Sequence, residues 1–351
     1  MINNYCKIWV SKVIESPKLA VGTKGALFAS VLKFGLVPDI FISLFFHFKG
    51  AFFGIDYLFA LLLATIWLNI GPFLIWYYDE RLLPSFFQKV KTIISDPERL
   101  STIARKYDHF FAKRYWLVSI PWTVLLIYIY LNFIQMTNSP VFGFPDPLFW
   151  LSLIIVTWGG WISGIGFIGV LTTMLALREI SKEQIKVEPL HIDKLGGLGT
   201  VGYYAVGTTL LFSSGSLFLP FGAEATILSK GQANILILAG FSIYSLFVLL
   251  SFLYPTAIIN SKAKKERDQI LEGLRKRIKE TRQTIEKNCT GIDRMVCFSE
   301  LEALRNEYAD YREVRLYPFE INIIVKLISS ILLPIGLAVI QLYLPSILNL
   351  T

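Results

Sequence analysis

Hydrophobic positions in this chain fall into long blocks, not into short alternating strands. Six blocks are long and apolar enough to cross a hydrocarbon core of about 30 Å as helices: roughly Phe52–Tyr77, Tyr115–Met136, Leu148–Leu177, Leu198–Pro220, Ala233–Tyr254 and Ile321–Leu344. An earlier block, Ala26–Phe48, contains Lys33, Pro38 and Asp39. It is expected either to span as a kinked helix or to lie in the interface as an amphipathic segment. The pattern predicts an all-α, polytopic helical membrane protein of about seven spans, or six if that first block is interfacial.

The polar intervals set the orientation. Tyr78–Arg114 carries eight basic residues, Arg178–Lys194 four and Thr256–Leu316 fourteen, whereas Thr137–Pro147 carries none and Phe221–Gln232 only Lys230. The positive-inside rule places the rich intervals and the lysine-bearing N-terminus in the cytoplasm. That alternation closes with seven spans and an external C-terminus.

One polar interval has a period of its own. From Asn260 to Lys287, Leu271, Leu274, Ile278 and Ile285 recur at helical spacing, and after the NCTGID turn Leu301, Leu304, Tyr308 and Tyr311 do so again. Ser299 and Glu302 have capping-box spacing, so the second helix is expected to restart near Ser299. The interval predicts a cytoplasmic antiparallel, coiled-coil-like hairpin. The chain then divides into a membrane region (1–255), the hairpin (256–316) and a last span with an external tail (317–351).

Composition agrees with lipid. The 351 residues are 54% hydrophobic and only 17% charged, against roughly a quarter charged in ordinary soluble domains. The net charge of +8 reports topology and not nucleic-acid binding, because the basic residues sort to one side. Cys6, Cys289 and Cys297 form no CxxC pair and read as free thiols. The N-terminus lacks an apolar core with a cleavage site, so no signal peptide is expected.

The most distinctive polar stretch is Pro189–Gly199, PLHIDKLGGLG. His191, Asp193 and Lys194 precede Gly196, Gly197 and Gly199, and the exposed amides of a following helix start suit an anion or a lipid headgroup. An interfacial loop that merely caps the helix is the plainer alternative, and two potential metal ligands without a third make no metal site. HxDxxGGLG before a span, a charged helical hairpin and then Tyr317-Pro318-Phe319 resemble a family of uncharacterised prokaryotic multi-pass membrane proteins, in which HPD and WPF are the commoner forms; here Ile192 and Tyr317 stand in place of Pro and Trp. The resemblance covers roughly Pro189–Leu344 and implies no biochemical activity.

Small and hydroxyl residues crowd two of the blocks, and Gly160 and Gly164 have the GxxxG spacing of close helix pairs. Thr208, Thr209, Ser213 and Ser214 are candidates to line a water-filled path, with tight packing as the alternative. Lys33 and Asp39 are too far apart along a helix to pair and need other partners. HExxH, GxSxG and P-loop motifs are absent, and His47, His109 and His191 are the only histidines. His109 is expected to be solvated. Asp79, Glu80 and Asp193 are the only carboxylates that tempt an enzymatic reading, with solvated loop residues as the plain one.

These readings point to a cell-membrane protein with no catalytic residues, metal or cofactor. The leading function is a homo-oligomeric ion channel or channel-like pore, assembled or gated through the hairpin. A membrane sensor or interaction protein, in signalling or defence, whose residues 260–316 bind a soluble partner is the alternative. A lipid-modifying enzyme comes third. Membrane lipids are the other expected partner.

Overall fold

The computed structural model describes residues 6–16, 22–49, 55–137, 146–189, 191, 196–218, 234–288 and 292–314. Their regular structure is helical, apart from one isolated bridge between Ile94 and Ile185. Five helical rods among them are long and apolar enough to cross a membrane: Gly22–Phe45, Leu58–Val90, Pro97–Asn132, Pro147–Ile180 and Ser242–Glu286.

The N-terminal rod is continuous. Helix α1 (Trp9–Glu15) precedes α2 (Gly22–Ser30), which passes through a π-helical turn at Val31–Gly35 into α3 (Leu36–Lys49). The turn has a local cause, because Pro38 cannot donate to the carbonyl of Phe34 and its ring crowds that carbonyl. Lys33 and Asp39 have each found a partner. Lys33 Nζ donates to the carbonyls of Val13, Ile14 and Ser16 at the C-terminal end of α1, and Asp39 Oδ1 accepts from Asn69 Nδ2 at 2.8 Å. A cation at a helix C-terminus satisfies carbonyls that the helix itself leaves open. Trp9 and Phe34 pack against Trp158, with Phe34 stacked on it at 5.5 Å, which fixes this end on the helix that carries Trp158.

Helix α4 (Ile55–Tyr77) continues through a second π-helical turn, Tyr78–Leu82, into α5 (Leu83–Val90). Helix α6 (Pro97–Arg114) starts on Asp96, whose side chain accepts from the amides of Glu98 and Arg99 as an N-cap does. Helix α7 (Trp116–Thr137) follows and lies along the 34-residue α8 (Pro147–Ile180), which also touches α4, α6 and the next two helices. Gly160 and Gly164 meet α7 at Thr123 and Ser119, so the GxxxG spacing does serve a close helix pair.

Helix α9 (Gly199–Ser213) packs against α5, α8, the second π-turn and the next helix, with Tyr203 and Leu210 left exposed on its outer side. Its 15 residues rise about 22 Å, and the 3-10 turn at Ser214–Phe218 extends it by about 10 Å. The expected span at 198–220 is described as far as residue 218, as helix α9 and the 3-10 turn that follows it. The last expected span, 321–344, lies outside the described residues, as does Tyr317-Pro318-Phe319.

Helix α10 (Asn234–Asn288) runs 55 residues without a break, about 82 Å. The division at 255/256 falls inside it, because Pro255 is accommodated within the helix and no turn residues separate the apolar half from the charged half. Helix α11 (Ile292–Glu313) packs back on α10. It begins seven residues before the expected restart at Ser299, so Ser299 and Glu302 stand inside the helix and not at its cap. Nothing in the sequence DRMVCF opposes a helix. The expected stripe is the one that packs: Leu274, Leu301 and Leu304 are buried, and Arg275 donates to the Tyr308 hydroxyl at 3.2 Å.

Candidate functional site

The loop between α8 and α9 is shaped by its glycines. Gly196 and Gly197 have φ of 66° and 89°, a left-handed pair that other residues adopt only with strain. At Gly196 a Cβ would also lie 2.8 Å from Val187 Cγ1 and 3.1 Å from Val314 Cγ1. The Gly196 carbonyl accepts from Glu188 N at 3.3 Å, and His191 N donates to the Glu188 carbonyl at 3.2 Å. The chain so reverses on itself before Gly199 opens α9. Asp193 and Lys194 lie outside the described residues; His191, Gly196, Gly197 and Gly199 are within them.

A second loop lies against the first. Ser95 N donates to the Gln184 carbonyl at 3.3 Å and Lys186 N to the Ile93 carbonyl at 2.7 Å, on either side of the Ile94–Ile185 bridge. This short extended pairing buries Ile93, Ile94, Ile185 and Val187 as a floor. Sequence periodicity could not reveal it, since two-residue pairings have no period.

The hairpin supplies the third wall. A cavity of about 520 Å³ opens between the two loops and the hairpin, which contributes Glu266 and Ile270 from α10 and Tyr311 from α11. That volume is in the range of small-molecule sites. Its polar rim includes Thr92, Ser95, Lys186, Glu188 and His191, so both signs of charge and neutral hydrogen-bonding groups face one space. Glu266 is paired with Lys262 at 2.8 Å. Burial raises the pKa of the Tyr311 phenol above its ordinary value, with Glu307 and Glu188 adding to the effect, so Tyr311 remains a neutral hydrogen-bonding group.

The hydroxyls proposed for a pore line lie elsewhere. Thr208, Thr209 and Ser213 are buried. Thr208 Oγ1 is 3.2 Å from Thr173 Oγ1, Thr209 Oγ1 is 2.9 Å from Ser251 Oγ, and Ser214 Oγ accepts from Trp67 Nε1 at 3.3 Å. Three tyrosines unnoticed in the sequence organise this interior. The Tyr78 hydroxyl donates to the Gly169 carbonyl and lies within 3.0 Å of both Thr173 Oγ1 and the Tyr204 hydroxyl, while Tyr244 donates to the carbonyls of Phe212 and Ser213. A small cavity of about 50 Å³ lined by Gly166, Gly169, Thr208 and Ser214 lies alongside.

Asp79 is not the solvated loop residue expected of it. It is buried in the second π-turn and accepts from Ile8 N at 3.1 Å, and the buried Asp108 accepts from Cys6 N at 2.6 Å. Lys7 bridges Glu15 and Glu80 at 2.6 and 3.0 Å. The segment before α1 thus docks over two carboxylates of the α4–α6 region. Glu80 is half-buried, and His109 is exposed as expected. Among the described residues no group of three or more His, Cys, Asp or Glu side chains is placed to hold a metal ion. No protein-family model, curated protein or solved structure matches the chain.

Proposed function

We propose that this protein is a membrane-embedded sensor in which a small polar solute, bound between the loop residues Glu188, His191, Gly196 and Gly197 and the hairpin, sets the hairpin's position. One observation carries the reading: the 520 Å³ cavity is walled jointly by two loops of the helical bundle and by Glu266, Ile270 and Tyr311 of the hairpin. A ligand there touches both bodies, and any difference in its affinity between hairpin positions becomes a bias on the hairpin. Because α10 is one unbroken helix from the apolar rod into the hairpin, a shift at Glu266 is carried along a rigid element. In this reading the hairpin faces the cytoplasm, as the basic intervals require, and relays the ligand's presence to a partner.

The test is a thermal-stability screen of the purified protein in lipid nanodiscs against amino acids, nucleotides, sugar phosphates and inorganic phosphate. One chemical class should raise the midpoint, and Tyr311→Ala or Glu266→Gln should remove that rise. Stabilisation that persists unchanged in both variants, or no stabilisation by any class, sinks the reading.

A pore is the second reading, favoured by the hydroxyl chain Tyr78–Thr173–Thr208 beside the 50 Å³ cavity, a space of the size that holds a water. Here the homo-oligomer of the sequence expectation would place several such interiors side by side. Ion flux in proteoliposomes that bulky substitutions at Thr208 or Ser213 alter would support it. Absence of flux under varied ions, voltage and tension would remove it.

A further inference from the structure

Met295, Val296 and Phe298, in the first two turns of α11, are 76, 63 and 49% exposed. Apart from Val13, every other exposed large apolar side chain among the described residues lies within one of the long apolar runs, where lipid accounts for it. The tip of the hairpin therefore carries an apolar patch that the bilayer does not explain.

Its charged neighbours have both signs. The Arg294 guanidinium lies 5.8 Å from the Phe298 ring centroid, Arg282 bonds Glu286 at 3.3 Å, and Glu300 lies 4.0 Å from Arg277. A surface that mixes signs in this way is complementary to itself, because a two-fold axis can set each cation of one copy against an acid of the other. A partner of a single sign would leave half of these charges opposed by their own kind.

Size narrows the occupant further. Three such side chains expose on the order of a few hundred Å², below the roughly 800 Å² per partner of a standard interface. That area holds a freely diffusing partner poorly. Copies anchored in one membrane differ: their tips project to the same height, and confinement gives them a high effective concentration.

We propose that the hairpin tip is a homotypic contact in which Met295, Val296 and Phe298 pack on the same residues of a second copy in the same membrane. The proposal rests on the rods crossing the membrane and is independent of the ligand in the loop–hairpin cavity.

The test uses the full chain with Cys6, Cys289 and Cys297 replaced by Ser, reconstituted in liposomes over a range of protein-to-lipid ratios. Met295→Cys is introduced at the tip, and Glu272→Cys midway along the charged half of α10 serves as the reference. Oxidative cross-linking should yield dimers at 295 well above those at 272. Adding Val296→Asp should lower the dimer yield by about tenfold, because an unpaired carboxylate is then buried in the contact. A bimane label at position 295 should shift to the blue as protein density rises. Equal cross-linking at the two positions shows mere collision and overturns the proposal, as does a label that stays water-like at every density. A blue shift independent of density and without cross-linking assigns the tip to lipid instead, and overturns it too.

Discussion

Gly164 offers the sharpest test of how α7 and α8 are held together. A Cβ added there would lie 2.5 Å from Ser119 Cα and 3.0 Å from Ser119 Cβ, whereas carbon atoms that touch without strain sit about 3.5–4.0 Å apart. The obstacle is backbone, so no rotamer change relieves it, and α7 must move off α8 by about 1 Å where the two helices meet. Overpacking of this kind costs about 1–3 kcal/mol, while replacing a helical glycine by alanine returns up to about 1 kcal/mol. Gly164→Ala should therefore lose about 1–2 kcal/mol net. Two neighbouring glycines set the scale. At Gly160 the nearest atom to the added Cβ is Thr123 Cα at 3.1 Å, and at Gly166 it is Phe212 Cδ2 at 4.0 Å. Stability should fall in the order Gly166→Ala, Gly160→Ala, Gly164→Ala, with the first at or above the parent chain. Unfolding by heat or by SDS titration in bicelles, followed by tryptophan fluorescence, reads the order directly. Ser119→Gly should restore little to Gly164→Ala, because the backbone of residue 119 still blocks the added methyl group. If Gly164→Ala proves as stable as Gly166→Ala, the two helices do not approach this closely and the reasoning fails.

Three further outcomes follow from particular interactions. Tyr78→Phe removes a hydroxyl shared by Gly169, Thr173 and Tyr204; since Thr173 and Tyr204 keep their own 3.0 Å bond, the loss should be about 1–2 kcal/mol, and a double-mutant cycle with Tyr204→Phe should show coupling. Gly196→Ala combines a left-handed φ with a Cβ 2.8 Å from Val187 and should cost about 2 kcal/mol or more, seen as a lowered thermal midpoint and a weakened response to any cavity ligand. Lys33→Met takes away the cation that closes the end of α1 and should raise hydrogen exchange across residues 8–16 while leaving α8 protected; unchanged exchange there would show that Lys33 does not hold α1.

The sequence by itself determined the features that repeat over many residues. Long apolar runs made the chain helical and lipid-compatible, because backbone groups in hydrocarbon must be satisfied within the segment. The three-and-four spacing of Leu271, Leu274, Leu301 and Leu304 marked the faces that pack between α10 and α11, and Gly160 and Gly164 marked the seam with α7. Single positions were harder to read. Ser299 and Glu302 have the spacing of a cap but stand inside a helix, since spacing does not say where a helix has already begun. Asp79 looked solvated because its neighbours in sequence are polar, and it is buried because the N-terminal segment folds over it from 71 residues away.

The Pro189–Gly199 motif was legible as unusual, but what it borders was not. Its place beside Ile93, Glu266 and Tyr311 depends on segments that share no period. Thr208, Thr209 and Ser213 likewise could face a path or a partner on sequence grounds. The packing of α8, α9 and α10 buries all three and sets Thr208 beside Thr173 and Thr209 beside Ser251. Local period and propensity are properties of a segment. Which segments meet, and so which polar groups share a cavity, is settled by how the whole chain buries its surface.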